Sequence, residues 1–143
     1  MIGQVFWTVL SGVLVYVLGQ IFVKFVIEPI QEFYKLTGQI GHSLIYYANV
    51  YSSTDVSSEP ELKAAHETFR QHACDLYLRA HMIPRYGWWA KLRLLPAINN
   101  VNEASSNLIG LSNGVYDKSS RAFETNPKRR CSIERMLNLK TGE

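Results

Sequence analysis

Residues 1–25 read MIGQVFWTVLSGVLVYVLGQIFVKF, and the first charged side chain is Lys24. A run of this kind is a cleaved signal peptide, a membrane span or a buried core helix. Length separates them, because about 20 apolar residues at 1.5 Å each cross a hydrocarbon layer about 30 Å thick. Core helices of soluble domains seldom lack charge on every face. A signal peptide has a basic n-region, a short apolar stretch and a small-residue cleavage site. Nothing basic precedes this run, it outlasts such a stretch, and no Ala-x-Ala follows it. The reading is a retained transmembrane helix over residues 1–27.

At 100° per residue, Gln4, Thr8, Ser11, Gly12, Val15 and Gly19 fall on one side of that helix. The remaining sides carry Phe6, Val9, Leu10, Val13, Leu14, Val17, Ile21 and Phe22, which suit lipid. Small residues let two helices approach closely, and hydroxyl or amide groups hydrogen-bond between them. The stripe Gln4, Thr8, Ser11, Val15 and Gly19 therefore fits a helix–helix seam first and the wall of a narrow pore second. Either use predicts a homo-oligomer, a tetramer being one candidate copy number. Trp7 sits where an outer-interface anchor belongs.

Every charged side chain lies between Lys24 and Glu143, and the formal net charge is +3. The rest of the chain is long enough for one small domain with a modest core. No positive side chain precedes the span, whereas Lys24 and Lys35 follow it, which predicts an outer N-terminus and a cytoplasmic remainder. Cys74 and Cys131 make neither a disulfide framework nor a paired metal-ligand spacing, as suits a reducing compartment.

Beyond the span the periodicity is helical. Phe33, Leu36, Ile40, Leu44, Tyr47, Ala48 and Tyr51 recur at helix spacing, although IYYANVY has strand-like composition. STDVSSEPE supplies a loop and a helix start, with serine caps, a first-turn proline and acids at the positive dipole end. Leu62, Ala65, Phe69, His72, Ala73, Leu76, Ala80 and Ile83 make the next stripe, which Pro84 ends. PRYGWWAKLRLLP is a proline-bounded aromatic turn region; Trp88 and Trp89 read as core plugs or as headgroup contacts. Ile98, Val101, Ser105, Leu108, Ser112 and Val115 define a further helix, weakened by Gly110 and Gly114. The expected fold is all-α: one N-terminal transmembrane helix, a small antiparallel cytoplasmic helical bundle over 28–117, and a short basic amphipathic C-terminal helix within 118–143.

Charge is uneven along the chain. Residues 24–75 carry four basic and seven acidic side chains, while 76–102 carry Arg79, Arg85, Lys91 and Arg93 with no acid. Residues 118–143 carry seven basic and three acidic side chains. In the tail, Asn126-Pro127 reads as a helix start, Ile133, Met136 and Leu137 share a face, and SSRAFETNP reads as a mobile linker. Three uses fit such a tail: contact with anionic lipid, binding of a polyanion such as an oligonucleotide, or plain solvation. Lys128, Arg129, Arg130 and Arg135 are the candidate polyanion ligands. Tyr86, Trp88 and Trp89 beside Arg85, Lys91 and Arg93 suit base stacking or a helical core equally.

Catalysis is disfavoured. The four histidines, His42, His66, His72 and His81, form no HExxH, and no paired CxxC or glycine-rich phosphate loop occurs. His66 and His72 lie far apart around a helix, and the Arg-to-His spacing of HEPN ribonucleases is absent. No enzyme activity, catalytic residue, metal or cofactor is expected.

The uncharged leader running into EPIQE, with LRAHMIPRYGWW and NLIGLSN, resembles small single-pass bacterial membrane effectors of anti-phage defence, most of all those of the Hailong type. The layout is also similar to that of pore-forming accessory proteins of type VI CRISPR systems. The resemblance covers most of the chain in layout and only these phrases in letters. It implies an oligomeric inner-membrane channel that depolarises the infected cell. It also implies a gating ligand, a single-stranded DNA oligomer made by a nucleotidyltransferase-like partner. Two features carry over: a channel-forming first helix and a basic segment from Lys128 to Lys140. A membrane-tethered oligomeric scaffold with a lipid-contacting tail is the alternative.

Overall fold

Phe33, Leu36, Ile40 and Leu44 recur three and four residues apart, and in the computed structural model they form the buried face of a helix. The structure describes residues 1–52 and 57–139. Among them every regular element is a helix. Helix α1 (Ile2–Phe22) leads through a π-helical segment (Val23–Ile27) into α2 (Glu28–Tyr46) without a break. From Gly3 to Tyr46 this is one helix of 44 residues, about 66 Å long at 1.5 Å per residue. Its first part is long and apolar enough to cross a membrane, and none of that window is buried. Pro29 lies in the first turn of α2, directly after the π-helical segment, and since the helix continues through it, its missing N–H leaves an upstream carbonyl without that partner but does not end the helix.

Tyr47 forms a turn, and α3 (Ala48–Ser52) follows, so the strand-like IYYANVY is helical. Helix α4 (Glu59–Met82) starts on Ser58, whose N–H donates to the Glu61 carboxylate at 3.0 Å, with Pro60 in the first turn. The short α5 (Tyr86–Lys91) lies in the proline-bounded region, and α6 (Ile98–Gly114) and α7 (Ser120–Met136) complete the chain.

Cross-helix hydrogen bonds give the topology. Ser43 meets His72 and Glu32 meets Arg79, so α4 runs antiparallel to α2. Ser105 donates to the Ala73 carbonyl and Ser112 to that of His66, so α6 runs antiparallel to α4. Arg129 reaches the Gly110 carbonyl and Asn126 that of Gly114, so α7 runs antiparallel to α6. Between these helices lies one core, with Phe33, Phe69, Leu76, Leu108, Leu111 and Ile133 wholly buried. Ile83, Tyr86 and Leu95 close it at the α5 end. Burial there pushes the Tyr86 phenol up to about 12, and its hydroxyl donates to the Pro96 carbonyl at 2.8 Å.

The C-terminal segment differs from its sequence reading. Where a linker and a separate basic arm are expected, α7 is helical from Ser120, capped by the Ser119 hydroxyl, which accepts from the Ala122 N–H. Ala122, Asn126, Ile133 and Leu137 are buried, so the helix is part of the packed body. Pro127 lies inside it and starts nothing. A proline there removes one i→i−4 bond, a loss that the apolar burial of Ala122, Ile133 and Leu137 offsets, while the buried Asn126 Oδ1 has no partner among the described residues. Lys140 lies outside the described residues.

Candidate functional site

Three places combine polar chemistry with exposure: the α1 stripe, the outer face of α7, and the junction where α1 meets the helical body. On α1, Gln4, Thr8, Ser11, Val15 and Gly19 are all exposed along one side. The Thr8 hydroxyl donates to the Gln4 carbonyl at 2.9 Å, and Ser11 to the Thr8 carbonyl at 2.9 Å. Both hydroxyls thus satisfy themselves within the helix. These hydroxyls therefore need no second helix, and within the stripe it is the Gln4 amide that is left to seek a partner among the described residues. Gly12 and Gly19 lie on the same exposed side and carry no Cβ, as suits close approach by another helix.

The four basic residues of the tail part company. Lys128 and Arg135 are exposed and lie two turns apart on one face of α7. Lys128 makes an exposed pair with Glu124 at 2.8 Å. Arg129 is half-buried and donates to the Gly110 carbonyl at 2.9 Å, so Gly110 is small because the guanidinium crosses it. Arg130 is half-buried against Glu134 at 2.8 Å and lies beside Tyr51. Arg129 therefore ties α7 to α6, Arg130 is paired within α7 beside Tyr51, and Lys128 and Arg135 face outward. Arg121 was missed by the sequence reading because it fell in the supposed linker. It lies seven residues before Lys128, exposed on the same face. The three cations span about 21 Å of helix.

At the junction, a groove of about 400 Å³ is lined by Lys24, Glu28, Glu32, Asp75, Arg79 and Met82. An ion pair between Arg79 and Glu32 ties α4 to α2 there.

The histidines divide similarly. His66 packs on Tyr116 and contacts Ser112, and His72 contacts Ser43 at 2.9 Å, so both serve helix packing. Among the described residues no three His, Cys, Asp or Glu side chains are placed to hold a metal ion. Cys74 is exposed on α4, off the buried stripe, and Cys131 is exposed on α7. Of the two tryptophans read as core plugs, Trp89 is half-buried and donates to the Pro84 carbonyl at 3.1 Å, whereas Trp88 faces outward. Compared with protein-family models, with curated proteins and with solved structures, the chain matches none.

Proposed function

We propose that the chain is a single-span protein of the bacterial inner membrane whose α1 helices assemble into a homo-oligomeric ion channel. In this reading the N-terminus lies outside and the helices α2–α7 form a cytoplasmic bundle that controls the channel through an anionic ligand. The observation that carries it is one continuous helix with two kinds of surface: an unburied apolar span with a small and polar side, running straight into α2. Small residues on one side suit a packed neighbour, and a rigid helix transmits rotation or tilt from the bundle to the span. The setting in anti-phage defence, and a single-stranded DNA oligomer as ligand, rest on the resemblance of EPIQE, LRAHMIPRYGWW and NLIGLSN. Catalysis has no part in this reading.

One observation favours the scaffold alternative. The Thr8 and Ser11 hydroxyls are spent on their own helix, which leaves less polarity for a water-filled wall. Purified protein in vesicles separates the two. A channel gives ion flux that falls in the Gln4→Leu, Thr8→Leu, Ser11→Leu triple variant. A discrete oligomer with no flux in the wild type gives the function to the scaffold.

A further inference from the structure

We propose that the segment from Met82 to Leu94 is a second membrane contact, docking on the anionic headgroup layer of the same bilayer that α1 enters. The proposal rests on the reading of α1 as a span. The groove shared by Lys24 and Met82, and the Arg79–Glu32 pair, bring the end of α4 beside the π-helical segment. The Tyr34 hydroxyl donates to the Leu94 carbonyl, which fixes the far end of the segment to the start of α2. The loop therefore sits at the end of the helical body from which the span emerges.

Its surface is amphipathic. Trp88 is 65% exposed, Met82 62% and Leu92 59%, with Leu94 also exposed, although the core beneath is closed by Ile83, Tyr86 and Leu95. Large apolar side chains gathered outside a finished core mark a contact surface, and tryptophan favours the membrane interface. Interleaved with them are Arg85, Lys91 and Arg93, all exposed and free of any ion pair among the described residues. Arg79 is spent on Glu32, and the acids Glu28, Glu32 and Asp75 line the adjoining groove together with Lys24. Apolar wedges with unpaired cations complement an anionic lipid surface.

The backbone adds a separate argument. Arg85 and Arg93 bracket α5 with φ of 52° and 58°, in the left-handed region where glycine is at ease and a Cβ is penalised. Both strained points carry exposed arginines that make no ion pair among the described residues, so no contact within the chain accounts for the charge at either.

Full-length protein in vesicles tests this, since α1 holds it on the bilayer and the readout reports docking alone. In a W7F/W89F variant, Trp88 should be quenched by lipids brominated near the headgroup and shielded from acrylamide. Both effects should be stronger with phosphatidylglycerol than with phosphatidylcholine alone. Replacing Arg85, Lys91 and Arg93 by Gln should lower the docked-to-free ratio about fivefold per cation in anionic vesicles. Arg85→Gly and Arg93→Gly together should raise the melting temperature while lowering the docked-to-free ratio in anionic vesicles about 25-fold, Lys91 remaining; arginines with a purely structural role would leave that ratio unchanged and overturn the proposal. Amide exchange of residues 85–94 in the wild type, slowed by anionic vesicles, gives the same answer without removing a tryptophan. Trp88 open to acrylamide while Trp7, in a W88F/W89F variant, is quenched by brominated chains overturns docking alone. Trp7 unquenched overturns the span and the docking together.

Discussion

The His72 ring, half-buried on α4, meets the Ser43 hydroxyl at 2.9 Å, and burial holds its pKa below the usual 6.5 against the pull of Asp75. A histidine kept neutral by the fold binds its proton earlier in the unfolded chain. Its contribution is therefore complete above about pH 6.5 and is lost as pH falls through the lowered folded value. Melting curves at pH 7.5 and pH 5 should show the wild type losing stability, and His72→Gln should flatten that loss; an unchanged slope would place the acid sensitivity elsewhere. The two glycines of α6 make a contrasting pair. A Cβ at Gly114 runs into the Asn126 side chain, itself 1% exposed and donating to the Gly114 and Tyr51 carbonyls. Gly114→Ala should cost about 1–3 kcal/mol, as overpacking does. At Gly110 the Cβ meets the end of the Arg129 side chain, which can swing out. Gly110→Ala should stay within about 1 kcal/mol of wild type, helix propensity offsetting the lost hydrogen bond. Denaturant unfolding of both variants decides the ranking, and equal costs would contradict it. His72 is legible as a member of a buried stripe from its spacing alone. Asn126 is not, because its partner Tyr51 is 75 residues away and Asn-Pro imitates a helix start locally.

Helix boundaries follow from chemistry that acts within one turn, so Ser58, Glu61, Pro60 and Pro84 mark α4 in the sequence as well as in the structure. The π-helical segment at Val23–Ile27 leaves no such mark, since one extra residue in an apolar, unburied run disturbs no pattern. It nevertheless sets the angle between the α1 stripe and the body, and such bulges gather at functional points. Deleting Leu18, in the regular part of α1, should leave the π-turn in place and turn the body by about 100° relative to the stripe above it. The expected result is protein that inserts and melts like wild type but has lost ligand control of flux; retained control would remove the continuous helix as the coupling element. Within the stripe the hydroxyls bond their own backbone, so Gln4 is the residue with an unmet demand. Gln4→Leu alone should account for most of the assembly defect of the triple leucine variant. A lost hydrogen bond between membrane helices averages about 0.6 kcal/mol and reaches about 1.7. Cross-linking yields of Gln4→Leu against Thr8→Leu/Ser11→Leu measure this, and a larger defect in the second variant would reverse the assignment.

For the whole molecule, the helical class and the apolar first helix were legible because periodicity and hydropathy are local properties. The place of α7 was not, since its burial depends on the small residues of α6 opposite it. That placement changes what the basic residues can do. Held on the body, α7 presents Arg121, Lys128 and Arg135 along one exposed face, while Arg129 and Arg130 are committed to Gly110 and Glu134. In a closed oligomer around a membrane axis such a face is repeated, and weak phosphate contacts add along one strand. Each neutralised phosphate on a single strand lowers log K by about 0.7 per log unit of salt. Changing Arg121, Lys128 and Arg135 together to Gln should therefore reduce the salt slope for a single-stranded oligonucleotide by about 2, with little change in melting temperature. Changing Arg129 and Arg130 to Gln should do the reverse, lowering the melting temperature and sparing the slope. If the ligand holds the channel shut, only the first variant is toxic to uninfected cells. Equal effects of the two variants on the slope would mean that α7 leaves the body to bind. Wild-type protein with no salt-dependent binding would remove the polyanion from the mechanism.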